Sequence, residues 1–301
     1  MDLAQALGLA LGADPTSPGK TVAFVGAGGK TSALFELARE ALRAVKGTKA
    51  PGLAQVIITT TTHIADPRRE PGRPPLAVVV SPGLAAGTGT ASPSPREDRA
   101  RVADAPIDAC VVVAAGEIPA DDSTGAPAKL SGVHPSRCGE LAARCRFLLV
   151  EADGSRGRAI KAPAAFEPEI PASCDLVVGV IGLDCLGAPL GEASAHRPER
   201  FGPLTGCAPG EPIGPRHVDA LVRAPEGLFK GAPPKARRIL LLNKADVAEK
   251  PAIEELLALL KAPGRAAPPC DRVIACSLKR REILGVIDFG QDESVSGERS
   301  D

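Results

Sequence analysis

Short apolar runs, each bounded by glycine, proline or polar residues, recur along the 301 residues of this chain. Runs of this length and uniform hydrophobicity are typical of β-strands that are buried on both faces. The pattern predicts eight strands, at residues 21–25, 55–58, 76–80, 109–114, 147–150, 176–181, 239–242 and 272–276.

Segments with helical periodicity lie between several of these strands. They cover residues 31–45, 135–144, 216–223 and 251–261. Strands that alternate with helices imply a mainly parallel sheet with helices on both of its faces. The pattern therefore predicts an α/β three-layer sandwich.

The sequence predicts one domain over residues 1–287, because it shows neither an internal repeat nor a linker. Residues 67–95 are dense in Pro, Gly, Arg and Ser, and they predict an insertion of surface connections around one short strand. The polar residues 288–301 predict a frayed C-terminal tail.

Composition narrows the choice of partners. Lys plus Arg and Asp plus Glu number 36 each, and aromatic residues make up 2% without Trp or Tyr. Neither bulk attraction to a polyanion nor stacking platforms for single-stranded nucleic acid are expected. We find no secretory signal and no apolar run near the roughly 20 residues that span a bilayer. The chain is expected to be cytoplasmic, without a membrane or nucleic-acid partner.

Cysteine and histidine give no metal signature. The eight cysteines include no CxxC pair, which argues against a zinc ribbon or a disulfide framework. The four histidines also lack metal-ligand spacing. We therefore expect buried, apolar cysteines.

A glycine-rich turn joins the first predicted strand to the first predicted helix. Its residues are Gly26, Ala27, Gly28, Gly29, Lys30, Thr31 and Ser32. Glycines let consecutive N–H groups converge on phosphate oxygens, and the helix N-terminus adds partial positive charge. Lys30 would reach the β and γ phosphates, and the Thr31 hydroxyl would bind Mg²⁺. The loop is shorter than the standard P-loop, because Phe24 stands where that motif has its first glycine.

Polar residues follow other predicted strands at the same expected edge of the sheet. Glu151 and Asp153 follow residues 147–150, and either carboxylate suits Mg²⁺ or its water shell. The alternative is that these acids cap a loop and pair with Arg156 or Arg158. Lys30, Asp153 and Glu151 are the candidate catalytic residues, with Thr31 and Asp153 as the candidate Mg²⁺ ligands.

The strand at 239–242 ends in Asn243, Lys244, Ala245 and Asp246, which resembles the NKxD guanine motif of GTPases. Ser277 follows the next strand, in the place of the weaker SAK motif. The Asp of NKxD accepts two hydrogen bonds from guanine, whereas adenine presents a different edge. The predicted nucleotide is therefore GTP, with ATP as the alternative.

Two further clusters of polar residues each have two alternative interpretations. The hydroxyls of Thr59, Thr60, Thr61 and Thr62 would hold phosphate, Mg²⁺ or an oxyanion, or would simply extend a β-prone strand. Arg156, Arg158 and Lys161 would neutralise a phosphate, or would form a solvated basic loop.

The chain resembles the YqeC family of selenium-dependent hydroxylase accessory proteins. The resemblance runs from residue 21 to about residue 277 and rests on VGAGGKTSALFELA, IITTTTHI, LLVEADGSRGRAIKAPAAFEPEIP, DLVVGVIGLDCLGAPL with HRPERF, and LLNKAD. GAGGKT is that family's own form of the loop. The resemblance implies a P-loop NTPase-like fold and a role in handling a labile selenium cofactor of molybdenum hydroxylases. Asp184, His196 and Arg197 lie in family blocks without a derivable role.

Three functions remain compatible with these residues. The first is an accessory protein that hydrolyses NTP to drive delivery of a cofactor to a molybdenum hydroxylase or a cofactor-synthesis partner. The second is a transferase or kinase that acts on a cofactor precursor. The third is a nucleotide or cofactor carrier without turnover. The sequence does not indicate which oligomeric state the protein has.

Overall fold

The computed structural model of the protein describes residues 1–11, 19–44, 54–69, 72–85, 109–121, 123–262 and 269–289. Its strands are β1 Lys20–Gly26, β2 Ala54–Thr60, β3 His63–Ala65, β4 Leu76–Val80, β5 Cys110–Ala114, β6 Gly116–Ile118, β7 Lys129–Ser131, β8 Cys145–Glu151, β9 Ile160–Lys161, β10 Leu176–Gly182, β11 Ala195–His196, β12 Arg237–Asn243, β13 Arg272–Ser277 and β14 Glu282–Asp288. Its helices are α1 Leu3–Ala6, α2 Lys30–Ala44, α3 Cys138–Ala142, α4 Pro198–Thr205, α5 Pro215–Arg223 and α6 Lys250–Lys261.

Nine strands form the central sheet, in the order β14-β13-β12-β10-β1-β8-β2-β5-β4. Neighbouring strands run parallel, except that β14 is antiparallel to β13. All eight predicted strands are confirmed as members of this sheet. The ninth strand, β14, was not predicted, because most of its side chains are exposed or half-buried and it carries no continuous apolar run.

Helices cover both faces of the sheet. Along β1, Val22 and Phe24 contact the core under α1 and α2, whereas Ala23 and Val25 point to the core under α3 to α6. Full burial of a phenylalanine such as Phe24 stabilises the fold by roughly 1.5–3 kcal/mol. The predicted three-layer α/β sandwich is therefore confirmed, and its form is compatible with a P-loop NTPase.

The predicted helices are also found. Residues 135–144 form a 3₁₀ turn, Pro135–Arg137, which continues into α3. Pro215 opens α5, where its missing N–H removes no hydrogen bond, since first-turn N–H groups have no carbonyl partner in the helix. Within the described ranges, no helix has the length and apolar character that crossing a membrane requires.

Two small sheets were not predicted. One has the order β3-β7-β6 and the other pairs β9 with β11, and all of these strands are two or three residues long. The described part of the predicted insertion contains β4 between the 3₁₀ turns Pro67–Arg69 and Pro82–Leu84. Residues 70–71 and 86–95 of that insertion, and residues 290–301 of the predicted tail, lie outside the described residues.

Candidate functional site

A cleft of about 1420 Å³ opens along the carboxyl edge of the central sheet, and the segments that follow β1, β2, β8, β12 and β13 form its walls. Parallel sheets present their ligand sites at this edge. Ten of the predicted site residues line the cleft: Gly28, Gly29, Lys30, Thr31, Ser32, Glu151, Asn243, Lys244, Asp246 and Ser277. The other three, Gly26, Ala27 and Asp153, are buried behind it.

The loop between β1 and α2 requires glycine at two positions. Gly28 has φ +82° and Gly29 has φ +137°, which side chains rarely tolerate. A Cβ on Gly28 would lie 2.1 Å from the Gly182 nitrogen, and one on Gly29 would lie 2.4 Å from Asn243 Nδ2. The glycines therefore let this loop pack directly against the ends of β10 and β12.

The backbone N–H groups of the loop fall into two sets. The first three hold the loop in place: Gly26 donates to Asp153 Oδ2 (3.0 Å), Ala27 to the Val180 carbonyl (2.9 Å) and Gly28 to the Arg158 carbonyl (2.9 Å). The N–H groups of the next four residues, 29–32, have no acceptor among the described residues. Because α2 begins at Lys30, these donors lie at the positive end of a fifteen-residue helix.

Lys30 folds back onto its own loop. Its Nζ donates to the Gly26 carbonyl at 2.6 Å and lies 3.1 Å from Asp153 Oδ1, an ion-pair contact outside hydrogen-bond geometry. Both side chains are 2% exposed. Asp153 thus contacts the loop lysine from behind the cleft.

Glu151 lies in the cleft beside the start of α2. Its Oε2 accepts a hydrogen bond of 2.7 Å from the Thr31 hydroxyl. Burial raises the pKa of the Glu151 carboxyl, and the nearby charge of Lys30 together with the Thr31 hydrogen bond opposes that rise only in part. The two predicted acids therefore differ: Glu151 contacts Thr31, and Asp153 contacts Lys30.

Asn243 joins three segments of the cleft wall. Its Nδ2 donates to the Gly28 carbonyl at 2.7 Å, and its Oδ1 accepts from the Leu278 N–H at 3.0 Å. The side chain is buried. One amide thereby ties the end of β12 to the loop after β1 and to the loop after β13.

Lys244 and Asp246 of the NKxD-like segment form ion pairs in which the basic side chain is exposed. Lys244 has a left-handed backbone (φ +63°), and its Nζ lies 2.6 Å from Asp184 Oδ2. Asp246 Oδ2 lies 3.2 Å from Arg280 Nε, and the Ser277 hydroxyl accepts from the Arg280 N–H at 3.3 Å. Asp184, which had no derivable role in the sequence, is thus a partner of Lys244.

Three of the four clustered threonine hydroxyls bond to the backbone. Thr59 donates to the Val113 carbonyl, Thr60 to the Glu151 carbonyl and Thr61 to the Glu169 carbonyl, at 2.8–2.9 Å. Thr61 and Thr62 also line the cleft. The structural interpretation of this cluster therefore accounts for the hydroxyls of residues 59–61.

Five charged side chains form a chain of contacts that we call the ion-pair relay: Lys30, Asp153, Lys161, Glu167 and Arg197. Lys161 Nζ lies 3.0 Å from Asp153 and 2.8 Å from Glu167, and its side chain is 0% exposed. Arg197 completes the relay with two contacts to Glu167, at 2.5 and 3.2 Å. Although burial acts to raise it, the pKa of Glu167 is lowered by Lys161 and Arg197.

The relay ends at Arg197, which lines the cleft together with its neighbour in the sequence, His196. Burial, followed by the charges of Arg197 and Lys161, lowers the pKa of His196 to about 4. Arg156 and Arg158 line the same cleft on the loop between β8 and β9. The structure therefore places the predicted basic cluster at the cleft, apart from Lys161, which is buried.

Sequence reasoning missed Glu167 and Arg280. Glu167 completes the relay, yet it stands in a loop without periodicity, six residues after Lys161. Arg280 pairs with Asp246 across two segments that are distant in the sequence. Neither pairing leaves a spacing signal in the sequence.

A second group that sequence spacing did not indicate lies outside the cleft. Ligand atoms of Cys207, Glu211 and His217 lie within 4.8 Å of one another. However, the Arg216 guanidinium is 3.0 Å from His217 Nε2 and 2.6 Å from Glu211 Oε1. A cation already occupies the space between these groups. All eight cysteines are buried and unpaired, as the sequence predicts.

Comparison with known proteins adds a family to this geometry. A family model described as YqeC protein matches residues 22–199. A protein of Escherichia coli (strain K12), printed as "Uncharacterized protein YqeC", is 34% identical over 233 residues, which cover 74% of this chain and 75% of that protein. No solved structure matches the chain.

Proposed function

This chain belongs to the YqeC family, and from the geometry of its cleft we propose that it binds a nucleoside triphosphate with Mg²⁺, GTP in preference to ATP. The observation that carries the proposal is the row of four N–H groups at residues 29–32. They lie consecutively at the start of α2, where anions bind. Lys30 is the second residue of this row, and its side chain supplies a positive charge beside the N–H groups.

Thr31 and Glu151 are the side chains we assign to Mg²⁺. A hydroxyl and a carboxylate are the oxygen ligands that Mg²⁺ takes in phosphate sites, and these two are already in contact. Mg²⁺ would offset the charge of the phosphate oxygens when bound. Asp153 takes a positioning role in this proposal in place of the metal role that the sequence suggested, because its oxygens face Lys30, Lys161 and the Gly26 N–H.

Asp246 supports the choice of guanine. Its carboxylate lies at the cleft, where its present partner is the guanidinium of Arg280, which is 60% exposed. The Asp246 side chain itself is only 11% exposed, so its carboxylate needs a partner, and a ligand that replaces Arg280 must donate hydrogen bonds to it. The N1 and N2 donors of guanine would replace the guanidinium, whereas adenine lacks this pair of donors.

We infer that nucleotide hydrolysis drives delivery or insertion of a cofactor during maturation of selenium-dependent molybdenum hydroxylases, the role associated with the family. The bound phosphate would take over Lys30 from the Gly26 carbonyl. Because Asp153 contacts both Lys30 and Lys161, that movement would reach the rest of the ion-pair relay. Loops that respond in this way to a terminal phosphate provide two states.

A transferase or kinase acting on a cofactor precursor is the second candidate. The volume of the cleft, about 1420 Å³, favours it, because pockets for one small molecule span roughly 300–1,000 Å³. A carrier without turnover is the third candidate. Product analysis with labelled GTP separates them: phosphate released to water, phosphate on an acceptor, or no turnover.

Calorimetry with GTP and Mg²⁺ tests the common premise. Wild-type protein should bind GTP, and Lys30→Ala should weaken binding at least about a hundredfold, because a charged hydrogen-bond donor is removed from a buried phosphate site. Lys250→Ala is the matched control, since that lysine is 87% exposed on α6. Absence of GTP and ATP binding by the wild-type protein would overturn the proposal.

A further inference from the structure

The cleft is more positive than the chain that forms it. The whole chain carries equal numbers of basic and acidic residues. The cleft wall, in contrast, has seven Lys and Arg residues against four Asp and Glu residues. Since an electroneutral chain concentrates cations in one concave surface, the surface favours anions.

Backbone strain coincides with these cations. Positive φ occurs at four non-glycine residues in the described part of the chain, and three of them are cations of the cleft wall: Arg156 (φ +49°), Arg197 (φ +64°) and Lys244 (φ +63°). Such conformations persist only where the surrounding structure enforces them, and they cluster at functional sites. Lys244 belongs to the NKxD-like segment, which leaves Arg156 and Arg197 without a role in nucleotide binding.

Arg156 and Arg158 have no carboxylate partner among the described residues, whereas Arg197 is held by Glu167. The backbone of the loop that carries both arginines is fixed to the phosphate loop, because the Arg158 carbonyl accepts from Gly28, and to the end of β10, because the Ala159 carbonyl accepts from Gly182. Both arginines line the same cleft as the start of α2.

His196 and Phe166 complete this end of the cleft. Burial lowers the pKa of His196 most, and the charges of Arg197, Lys161 and Arg156 lower it further. Phe166 is 70% exposed at the cleft, in a chain with only seven phenylalanines. An exposed ring in a cleft that is also lined by arginines offers an apolar surface to a ligand.

We propose that Arg156, His196 and Arg197, with Phe166 at the rim, form a second binding site for a small substrate that carries a phosphate or carboxylate group. The proposal deepens the proposed function and rests on it only in naming this ligand as the substrate on which the nucleotide acts. Arg197 links this second site to the phosphate loop, because it is the last member of the ion-pair relay that begins at Lys30.

The test uses inorganic phosphate as the probe and the imidazole signals of His196 as the reporter. Nuclear magnetic resonance follows the histidine rings of the wild-type protein and of the Lys30→Ala variant, which lacks the cation of the phosphate loop, and His196→Gln assigns the signal. Phosphate should raise the pKa of His196 by about one unit, because a neighbouring anion favours the imidazolium. Unchanged His196 signals at saturating phosphate would overturn the proposal.

Arg156→Gln separates the second site from the nucleotide site. It should weaken phosphate binding about tenfold and leave the affinity for a non-hydrolysable GTP analogue within about twofold. The control is Arg43→Gln, an exposed arginine at the end of α2 that does not line the cleft and that should change neither affinity. If Arg156→Gln weakened only GTP-analogue binding, the arginine would serve the nucleotide and the proposal would fail.

The two proposals fail separately. Wild-type protein that binds no nucleotide, yet shows the phosphate-dependent shift of His196, would refute the nucleotide proposal and support the second site. Protein that binds GTP normally and shows no response of His196 would refute the second site alone.

Discussion

Near β1 and β8 the charged side chains of the cleft are buried and linked in series, whereas near β12 and β13 they form separate pairs at the surface. In the ion-pair relay, Lys161 is 0% exposed and Asp153 is 2% exposed. In the second half, Lys244 is 39% exposed and Arg280 is 60% exposed, although Asp246 is 11% exposed. The same residue types therefore occupy two different dielectric environments within one cleft.

The two arrangements of charge respond differently when one partner is lost. Removing one member of a buried ion pair leaves an uncompensated charge and is strongly destabilising, so the members of the relay depend on one another. Surface pairs contribute little and exchange partners readily. In the proposed function the half beside β1 would therefore rearrange as one linked unit when Lys30 moves, whereas the pairs beside β12 would exchange partners one at a time.

The largest expected effect is on stability. Lys161→Met should lower the free energy of unfolding by about 3–5 kcal/mol, because Asp153 and Glu167 then remain buried without their shared cation. Urea denaturation measures the loss. Lys250→Met is the control and should change stability by less than about 0.5 kcal/mol. A loss of less than about 1 kcal/mol in Lys161→Met would contradict the buried, linked arrangement of the relay.

The second prediction concerns the surface half. Asp246→Ala should reduce the preference for GTP over ATP at least about tenfold, because it removes a charged acceptor worth about 1.5–3 kcal/mol. Unfolding stability should change by less than about 1 kcal/mol, since the guanidinium that remains, that of Arg280, is 60% exposed. Calorimetry with both nucleotides and urea denaturation provide the two readouts. Unaltered nucleotide preference would sink the guanine assignment.

A third prediction tests Glu151, the last residue of β8 in the buried half. Glu151→Gln keeps an acceptor for the Thr31 hydroxyl but removes the charge, so the gain in GTP affinity that Mg²⁺ gives should fall about tenfold. Titrations with and without Mg²⁺ measure that gain. Asp184→Asn, an exposed acid outside the proposed metal site, should leave it unchanged. A gain that persists in Glu151→Gln would return the metal role to another residue.

The last prediction is a pH dependence of stability. The folded-state pKa of His196 is about 4, below its ordinary value of 6.5, so the unfolded chain binds more protons between these values. Wild-type protein should therefore lose stability relative to His196→Gln as pH falls from about 6.5 to about 4. Urea denaturation at several pH values tests this difference. A difference that does not vary with pH would contradict the lowered pKa.

Much of the fold could be predicted from the sequence, because the buried parallel strands are continuous apolar runs. The run at residues 176–181 is buried on both faces, as its composition requires. β14 could not be found this way, since it lies at the edge of the sheet and its pattern of exposure does not alternate. The two-residue strands β9 and β11 are too short to show any period.

The residues of the candidate site also fall into those that the sequence could predict and those that it could not. Lys30, Thr31 and Asn243 stand in local motifs whose spacing reflects one turn or one strand end, so they were predicted. The contact between Lys161 and Glu167 depends on how a loop without periodicity folds over the sheet. Its partners become neighbours only through tertiary structure.

Asn243 gives the cleft a fixed internal length. Its amide bonds at once to the Gly28 carbonyl and to the Leu278 N–H, so the loop after β1 and the loop after β13 cannot move apart independently. A ligand with two recognition groups at the matching separation would meet both loops without first bringing them together, and less entropy would be lost on binding. In the proposed nucleotide complex, this side chain would therefore favour ligands of matching span as well as of matching chemical groups.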